Sequence, residues 1–133
     1  MEFFIPTRGR EQQLTLAALP ESIRDRTHLV MTKDDPTTPD HPRIIRLPIK
    51  GIAKTRQWIL ENASTVHFCM LDDDLSFYTR TEGWHLKSIV GDELLPLFLQ
   101  LEWCLRGGFL LVGVSARQGN NHIVETRVDN TRQ

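Results

Sequence analysis

The chain is expected to fold as an α/β domain built on a largely parallel sheet. Three observations predict this. Short apolar runs alternate with segments of helical periodicity. Turn and breaker residues separate them. The resulting order, β-α-β-β-α-β-α-β, supplies the helical crossovers that parallel strands need. The 133 residues are assigned to one domain, and 40% hydrophobic with 25% charged residues excludes wholesale disorder.

Phe3-Phe4-Ile5 reads as a short buried strand that stops at Pro6. Residues 11–19 are helix formers ended by Pro20. A second strand covers residues 28–32 and leads into Lys33-Asp34-Asp35-Pro36-Thr37-Thr38-Pro39, a loop by every local signal. Residues 43–47 form a third strand. Gly51 opens a helix to Ala63, with Ile52, Thr55, Ile59 and Ala63 on one face. Residues 66–71 make a fourth apolar strand that runs into Asp72-Asp73-Asp74. The stretch 79–84 is polar and reads as irregular.

A strong helix follows, with Asp92 as its expected cap and Pro96 in its first turn. Leu94, Leu97, Phe98, Leu101 and Leu105 share its stripe, and Gly107-Gly108 stops it. Residues 109–114 are expected as a fifth strand, and the chain from Ser115 as polar loop. In such sheets, ligands bind beyond the carboxyl ends of the strands, where strand order reverses.

A formal net charge of -1 exerts no global pull toward nucleic acid or membrane. A local patch from Arg8, Arg10, Lys54 and Arg56 stays open. Cys69 and Cys104 lie in apolar stretches and are expected to be reduced core residues of an intracellular protein. Trp58 and Trp103 are expected to pack within helices. The amino terminus lacks a signal-peptide pattern. The apolar stretches fall short of the roughly 20 residues that span a bilayer, so a soluble, cytoplasmic protein is expected.

The aspartate triplet is the strongest chemical signal. Adjacent carboxylates repel one another, and an apolar strand that delivers three of them to a sheet edge is costly to keep without a partner. Alternation along an extended strand would set Asp72 and Asp74 on one side and Asp73 on the other. Two hard oxygen ligands suit Mn²⁺ or Mg²⁺, which also accept phosphate oxygens. A solvated acidic turn is the bland alternative.

Pro6-Thr7-Arg8-Gly9-Arg10 ends the first strand, where arginines and backbone N–H groups would hold a nucleotide. Gly51-Ile52-Ala53-Lys54-Thr55-Arg56-Gln57 opens the helix that feeds the acid-bearing strand. Gly51 would allow close backbone approach there, and Lys54 or Arg56 would neutralise a diphosphate or pair with an aspartate. Routine surface charge explains this helix equally well.

Taken together, the proline-containing turn, the acidic loop after the second strand, the Gly-x-x-x-Thr-Arg helix and the strand into Asp-Asp-Asp resemble the nucleotide-binding half of GT-A glycosyltransferases of the family-2 type. Ile-Pro-Thr-Arg-Gly-Arg, Gly-Ile-Ala-Lys-Thr-Arg-Gln, Met-Leu-Asp-Asp-Asp-Leu and Ser-Ala-Arg-Gln-Gly-Asn-Asn further resemble the phage-associated TET-associated glycosyltransferases.

That resemblance implies a Rossmann-like GT-A sheet; the chain is shorter than such enzymes usually are, and would be either truncated after the donor-binding half or a minimal form. It also implies a nucleotide-sugar donor, UDP-sugar favoured. Pro6, Thr7 and Arg8 would frame the nucleotide, and Asp34 or Asp35 would reach the base. Arg56 would be the helix arginine. Asp72, Asp73 and Asp74 would form the DxD-type motif, with Asp72 and Asp73 toward the nucleotide and Asp72 and Asp74 toward Mn²⁺ or Mg²⁺. A hydroxymethylated pyrimidine in DNA is the implied acceptor, and the host cytoplasm the implied location if a phage encodes the chain.

No catalytic base is assigned, His122 included. Tyr78, Arg80, Trp84 and His85 would face an acceptor or pack on the sheet edge. Residues 115–121 would line a pocket or form plain surface. Two alternatives stay open. One is a HAD-like phosphohydrolase with Asp72 as nucleophile, although its Asp-x-Asp normally follows the first strand. The other is a domain that binds nucleotide without turnover.

Overall fold

The computed structural model describes residues 1–82 and 85–114. Four parallel strands form its main sheet: β1 (Glu2–Pro6), β2 (Thr27–Thr32), β3 (Ile44–Leu47) and β4 (Phe68–Met70), in the order β3-β2-β1-β4. Register aligns Phe3 with Thr27 on one side of β1 and with Cys69 on the other. The α/β class and parallel sheet are therefore as expected. Because β2 and β3 build outward on one side of β1 and β4 joins on the other, strand order reverses at the β1–β4 boundary.

Alternation along β1 sorts the core into two layers. Phe3 and Ile5, with Leu29 of β2, pack against Leu16, Leu19, Ile23, Leu94 and Phe98. These come from α1 (Leu14–Ala18) and Leu19 just after it, α2 (Glu21–Arg24) and the segment formed by a 3₁₀ turn (Gly91–Leu94) and α4 (Leu95–Arg106). Phe4, Val30, Leu47 and Ile59 make the opposite layer under α3 (Ile52–Asn62). Burial of each large apolar side chain stabilises the fold by about 1.5–3 kcal/mol relative to exposure.

Several elements differ from expectation. The first helix is shorter, because residues 8–12 form a turn and Gln13 enters it with extended backbone (φ -96°, ψ 93°). Pro20 ends α1 as expected, yet it also opens α2, whose Ile23 is buried. On α3, Thr55 and Ile59 are buried, but Ile52 in the first turn stays exposed. Gly51 has a φ of 98° with no protein atom near a prospective Cβ, so its backbone conformation is what calls for glycine. Asp92 makes no capping bond to α4; the 3₁₀ turn leads into the helix instead, with Pro96 in the first turn.

The polar stretch read as irregular contains an antiparallel pair, β5 (Tyr78–Arg80) and β6 (Leu86–Ser88). All of β5 is exposed, so it has no apolar alternation to reveal it. The expected fifth strand is absent. Residues 109–114 pair with no strand among the described residues, and Leu110 and Leu111 are 99% and 89% exposed. Strand preference reflects a place to pack and pair, and among the described residues this run after Gly107-Gly108 finds no strand to pair with.

Trp58 packs against the second layer, whereas Trp103 is exposed, contrary to expectation. Both cysteines are free, and burial pushes the Cys69 thiol up to about 11, which keeps it inert. No helix among the described residues is long and apolar enough to cross a membrane.

Candidate functional site

The ladder delivers two loops to one crevice. Thr7 N–H donates to the Val30 carbonyl at 3.0 Å, which carries β1 one residue past Pro6. Leu71 N–H donates to the Phe4 carbonyl at 2.9 Å and does the same for β4. Thr7 and Asp73 then meet across the reversal point: the Thr7 hydroxyl donates to Asp73 Oδ2 at 2.7 Å. This is the position at which open parallel sheets bind ligands.

Two arginines close over the acids. Arg10 Nε lies 3.3 Å from Asp73 Oδ2, and its Nη2 lies 3.1 Å from Asp74 Oδ2. Arg56 of α3 reaches Asp72 Oδ1 at 2.5 Å. The expected basic patch is thus assembled in part, by Arg10 and Arg56. These guanidinium groups offset the carboxylate repulsion, so the protein itself meets the cost that argued for a metal.

Strand alternation does not describe the triplet. β4 ends at Met70 and residues 73 and 74 form a turn, so Asp73 and Asp74 share Arg10 while Asp72 stands with Arg56. Among the described residues, no three His, Cys, Asp or Glu side chains group as a metal site. Asp72 and Asp74 remain open to solvent, with side chains 56% and 53% exposed.

The second acidic loop adjoins this crevice through Gly9. Gly9 N–H donates to Asp35 Oδ2 at 2.7 Å, and the Thr37 N–H and hydroxyl donate to Asp35 Oδ1 at 3.0 and 2.7 Å. Arg46 of β3 donates to the carbonyls of Asp35 and Thr37 at 2.7 and 2.6 Å. Burial raises the Asp35 pKa, and the bonds from Thr37 and Gly9 with the charge of Arg46 more than offset it, leaving a lowered value. Asp34 is exposed and paired with Lys50 Nζ at 2.9 Å. The Thr32 hydroxyl, followed by Lys50, brings Asp34 down to about 2.

Of the residues singled out from sequence, Thr7 meets Asp73, Arg10 meets Asp73 and Asp74, and Arg56 meets Asp72. Asp74 joins through Arg10, and Asp35 through Gly9. Pro6 is buried at the end of β1. Arg8 is exposed and enters none of these contacts. Asp34 stands outward with Lys50. Arg10 is more central than its neighbour Arg8, and nothing in the sequence separates the two. Gln13 and Thr15, which bond to the crevice from α1, went unmarked as ordinary residues of a helix start.

Tyr78 and His85 are exposed beside the hairpin. Trp84, His122 and residues 115–121 lie outside the described residues. A half-open cleft of about 240 Å³ lies by α1, lined in part by Gln13, Leu16, Arg24 and Pro39. None of the three aspartates lines it.

A model of the family described as TET-associated glycosyltransferases matches residues 1–101, which include every residue of the crevice. No curated protein and no solved structure matches the chain. With three quarters of its length matched, the chain belongs to the TET-associated glycosyltransferase family.

Proposed function

We propose that this glycosyltransferase moves a sugar from a nucleotide-sugar donor, UDP-sugar favoured, to an acceptor hydroxyl, with Mn²⁺ or Mg²⁺ assisting. The acceptor would be a hydroxymethylated pyrimidine in DNA, and the parallel sheet would be the donor half of a GT-A fold. The observation that carries the reading is the meeting of Thr7 and Arg10 from the end of β1 with the aspartates from the end of β4. Family membership sets the phosphohydrolase alternative aside.

Asp72 and Asp74 offer oxygens of the type a hard cation takes, in exchange for their arginine contacts. Asp72 and Asp74 each engage an arginine through one oxygen and are half open to solvent. A Mg²⁺-type ion needs only one or two carboxylates when waters and phosphates complete its shell. Asp72 and Asp74 would hold it, and when bound it would supply charge neutralisation to the departing diphosphate.

The chain's own residues do the rest. Arg10 and Arg56 present guanidinium groups that pair with phosphate oxygens as readily as with carboxylates. Pro6, Thr7 and Arg8 frame the nucleotide, with Asp72 and Asp73 facing its ribose. Asp34 would reach the base by exchanging its exposed Lys50 partner, because the Asp35 carboxylate is held in its loop by Gly9 and Thr37. In the transfer, the acceptor oxygen bonds the anomeric carbon as the bond to the diphosphate breaks, and the acceptor's proton leaves to a base. Rate enhancement comes from positioning and from charge on the leaving group. With a net charge of -1, the chain would engage DNA chiefly at the modified base rather than by broad phosphate neutralisation.

The test is turnover of UDP-sugars with Mn²⁺ on an oligonucleotide carrying hydroxymethylcytosine. Wild type should release UDP and mass-shift the oligonucleotide, and Asp74→Ala should slow this by about 100-fold or more. If neither Mn²⁺ nor UDP raises the melting temperature and no donor is consumed, the donor-site reading fails, because a ligand selective for the native state must stabilise it.

A further inference from the structure

We infer that Thr15 and Gln13, two buried residues at the start of α1, are positioning residues that hold the aspartate turn in its working shape. The inference rests on the donor-site reading above and adds what sets that site's geometry.

Thr15 is fully buried and binds the turn at three points. Its hydroxyl donates to the Asp72 carbonyl at 2.5 Å and accepts from Leu75 N–H at 2.8 Å. Its backbone N–H donates to the Asp73 carbonyl at 3.3 Å. One side chain therefore brackets the segment from Asp72 to Leu75, across 57 residues of sequence.

Two other buried threonines show that this is not what a threonine does by default. A helical threonine commonly bonds the carbonyl four residues back. Thr55 does so to Gly51 at 3.2 Å, and Thr27, just past α2, does so to Ile23 at 2.8 Å. Thr15, at the second position of α1, has no helical carbonyl four residues back, and its hydroxyl goes to the aspartate turn instead.

Gln13 orders the other side. Its Nε2 donates to the Thr7 hydroxyl at 3.1 Å and to the Arg10 carbonyl at 2.6 Å. A hydroxyl has a single proton. Gln13 fills an acceptor position on Thr7, and the proton is directed to Asp73 Oδ2 at 2.7 Å. The same amide fixes the backbone of Arg10, whose guanidinium spans Asp73 and Asp74.

Helix α1 has only five residues and is too short to persist by itself. Its first turn is held by these bonds to the crevice. The turn's backbone is set by neutral, buried partners, so the carboxylates reach a cation or diphosphate already oriented, which reduces the ordering cost of binding.

The experiment compares Thr15→Val, Thr15→Ser and Thr27→Val in the full chain by two readouts. These are amide hydrogen exchange at Leu75 and the Kd for Mn²⁺ with UDP. Thr15→Val keeps the shape of the side chain but loses both hydroxyl bonds. It should speed Leu75 exchange and weaken Mn²⁺–UDP binding by about 10-fold or more, the usual scale for residues that orient metal ligands.

Thr15→Ser should restore both readouts toward wild type. Thr27→Val removes an equally buried hydroxyl at the far end of the sheet and should lower the melting temperature while leaving Kd unchanged. If Thr15→Val leaves Leu75 exchange at the wild-type rate, or shifts Kd no more than Thr27→Val, the inference is overturned. A wild-type chain that binds neither Mn²⁺ nor UDP overturns the donor-site reading instead, and Leu75 exchange still decides the role of Thr15.

Discussion

After β2 the chain passes through Asp34-Asp35, and after β4 through Asp72-Asp73-Asp74. In the first loop a carboxylate does the holding: Asp35 is 6% exposed and binds the backbone of Gly9 and Thr37. In the second, the backbone is held by Thr15, and among the described residues the carboxylates meet the side chains of Thr7, Arg10 and Arg56. An acid that closes its own loop is consumed by the fold. Acids whose loop is closed by another residue stay free to change partners, as ligand chemistry requires.

The largest expected effect in this comparison is on stability, from Asp35→Ala. It removes three hydrogen bonds to a charged acceptor and should cost about 2 kcal/mol, read as a fall in melting temperature on the order of 5–10 °C. A variant that melts with wild type would show that Asp35 does not close its loop.

Acid titration probes the same point. Asp34 at about 2 and the lowered Asp35 both lie below the unfolded value of 3.8. Such groups contribute stability above 3.8 that is lost as pH falls through the native values. Wild type should therefore destabilise more steeply below pH 3.8 than Asp35→Ala does.

Gly9→Ala comes next. Gly9 has a φ of 69°, and a Cβ there would meet no atom, so the cost is conformational alone, about 1–2 kcal/mol by denaturant titration. A smaller cost would mean that the Gly9–Asp35 bond tolerates an ordinary backbone. The smallest effect on stability belongs to Asp72→Ala, which breaks a half-exposed ion pair and should change unfolding free energy by no more than about 0.5 kcal/mol. Its affinity for Mn²⁺ with UDP should fall even so. A large loss of stability would place Asp72 with Asp35 and erase the contrast.

The parallel strands were legible because each is an apolar run with a breaker after it, and α3 and α4 because their apolar residues recur at helical spacing. Residues 109–114 have the same apolar character without a pairing strand among the described residues, and composition alone cannot report whether a partner exists. α2 is too short for a period, and β5 has no buried face. The acids and arginines of the crevice could be read as types, but not in pairs. Asp73 finds Thr7 because β4 lies beside β1, and strand order is not written in periodicity. Arg10 outranks Arg8 because the turn at Gly9 points it at the acids. Thr15 carries no chemical signal until the turn it binds is in place.

The order of the strands also bears on how the protein reaches its native state. β1 with β2 and β2 with β3 pair segments that are near in sequence, whereas β1 with β4 joins Phe3 to Cys69, and Thr7 meets Asp73 across 66 residues. Closing the longer loop has the larger entropic cost, so the β1–β4 pairing is expected late in folding. The crevice is then among the last features to form and among the first to open. A ligand that bridges it would leave the folding rate nearly untouched and slow unfolding, giving the bound enzyme a longer lifetime than its equilibrium stability alone suggests.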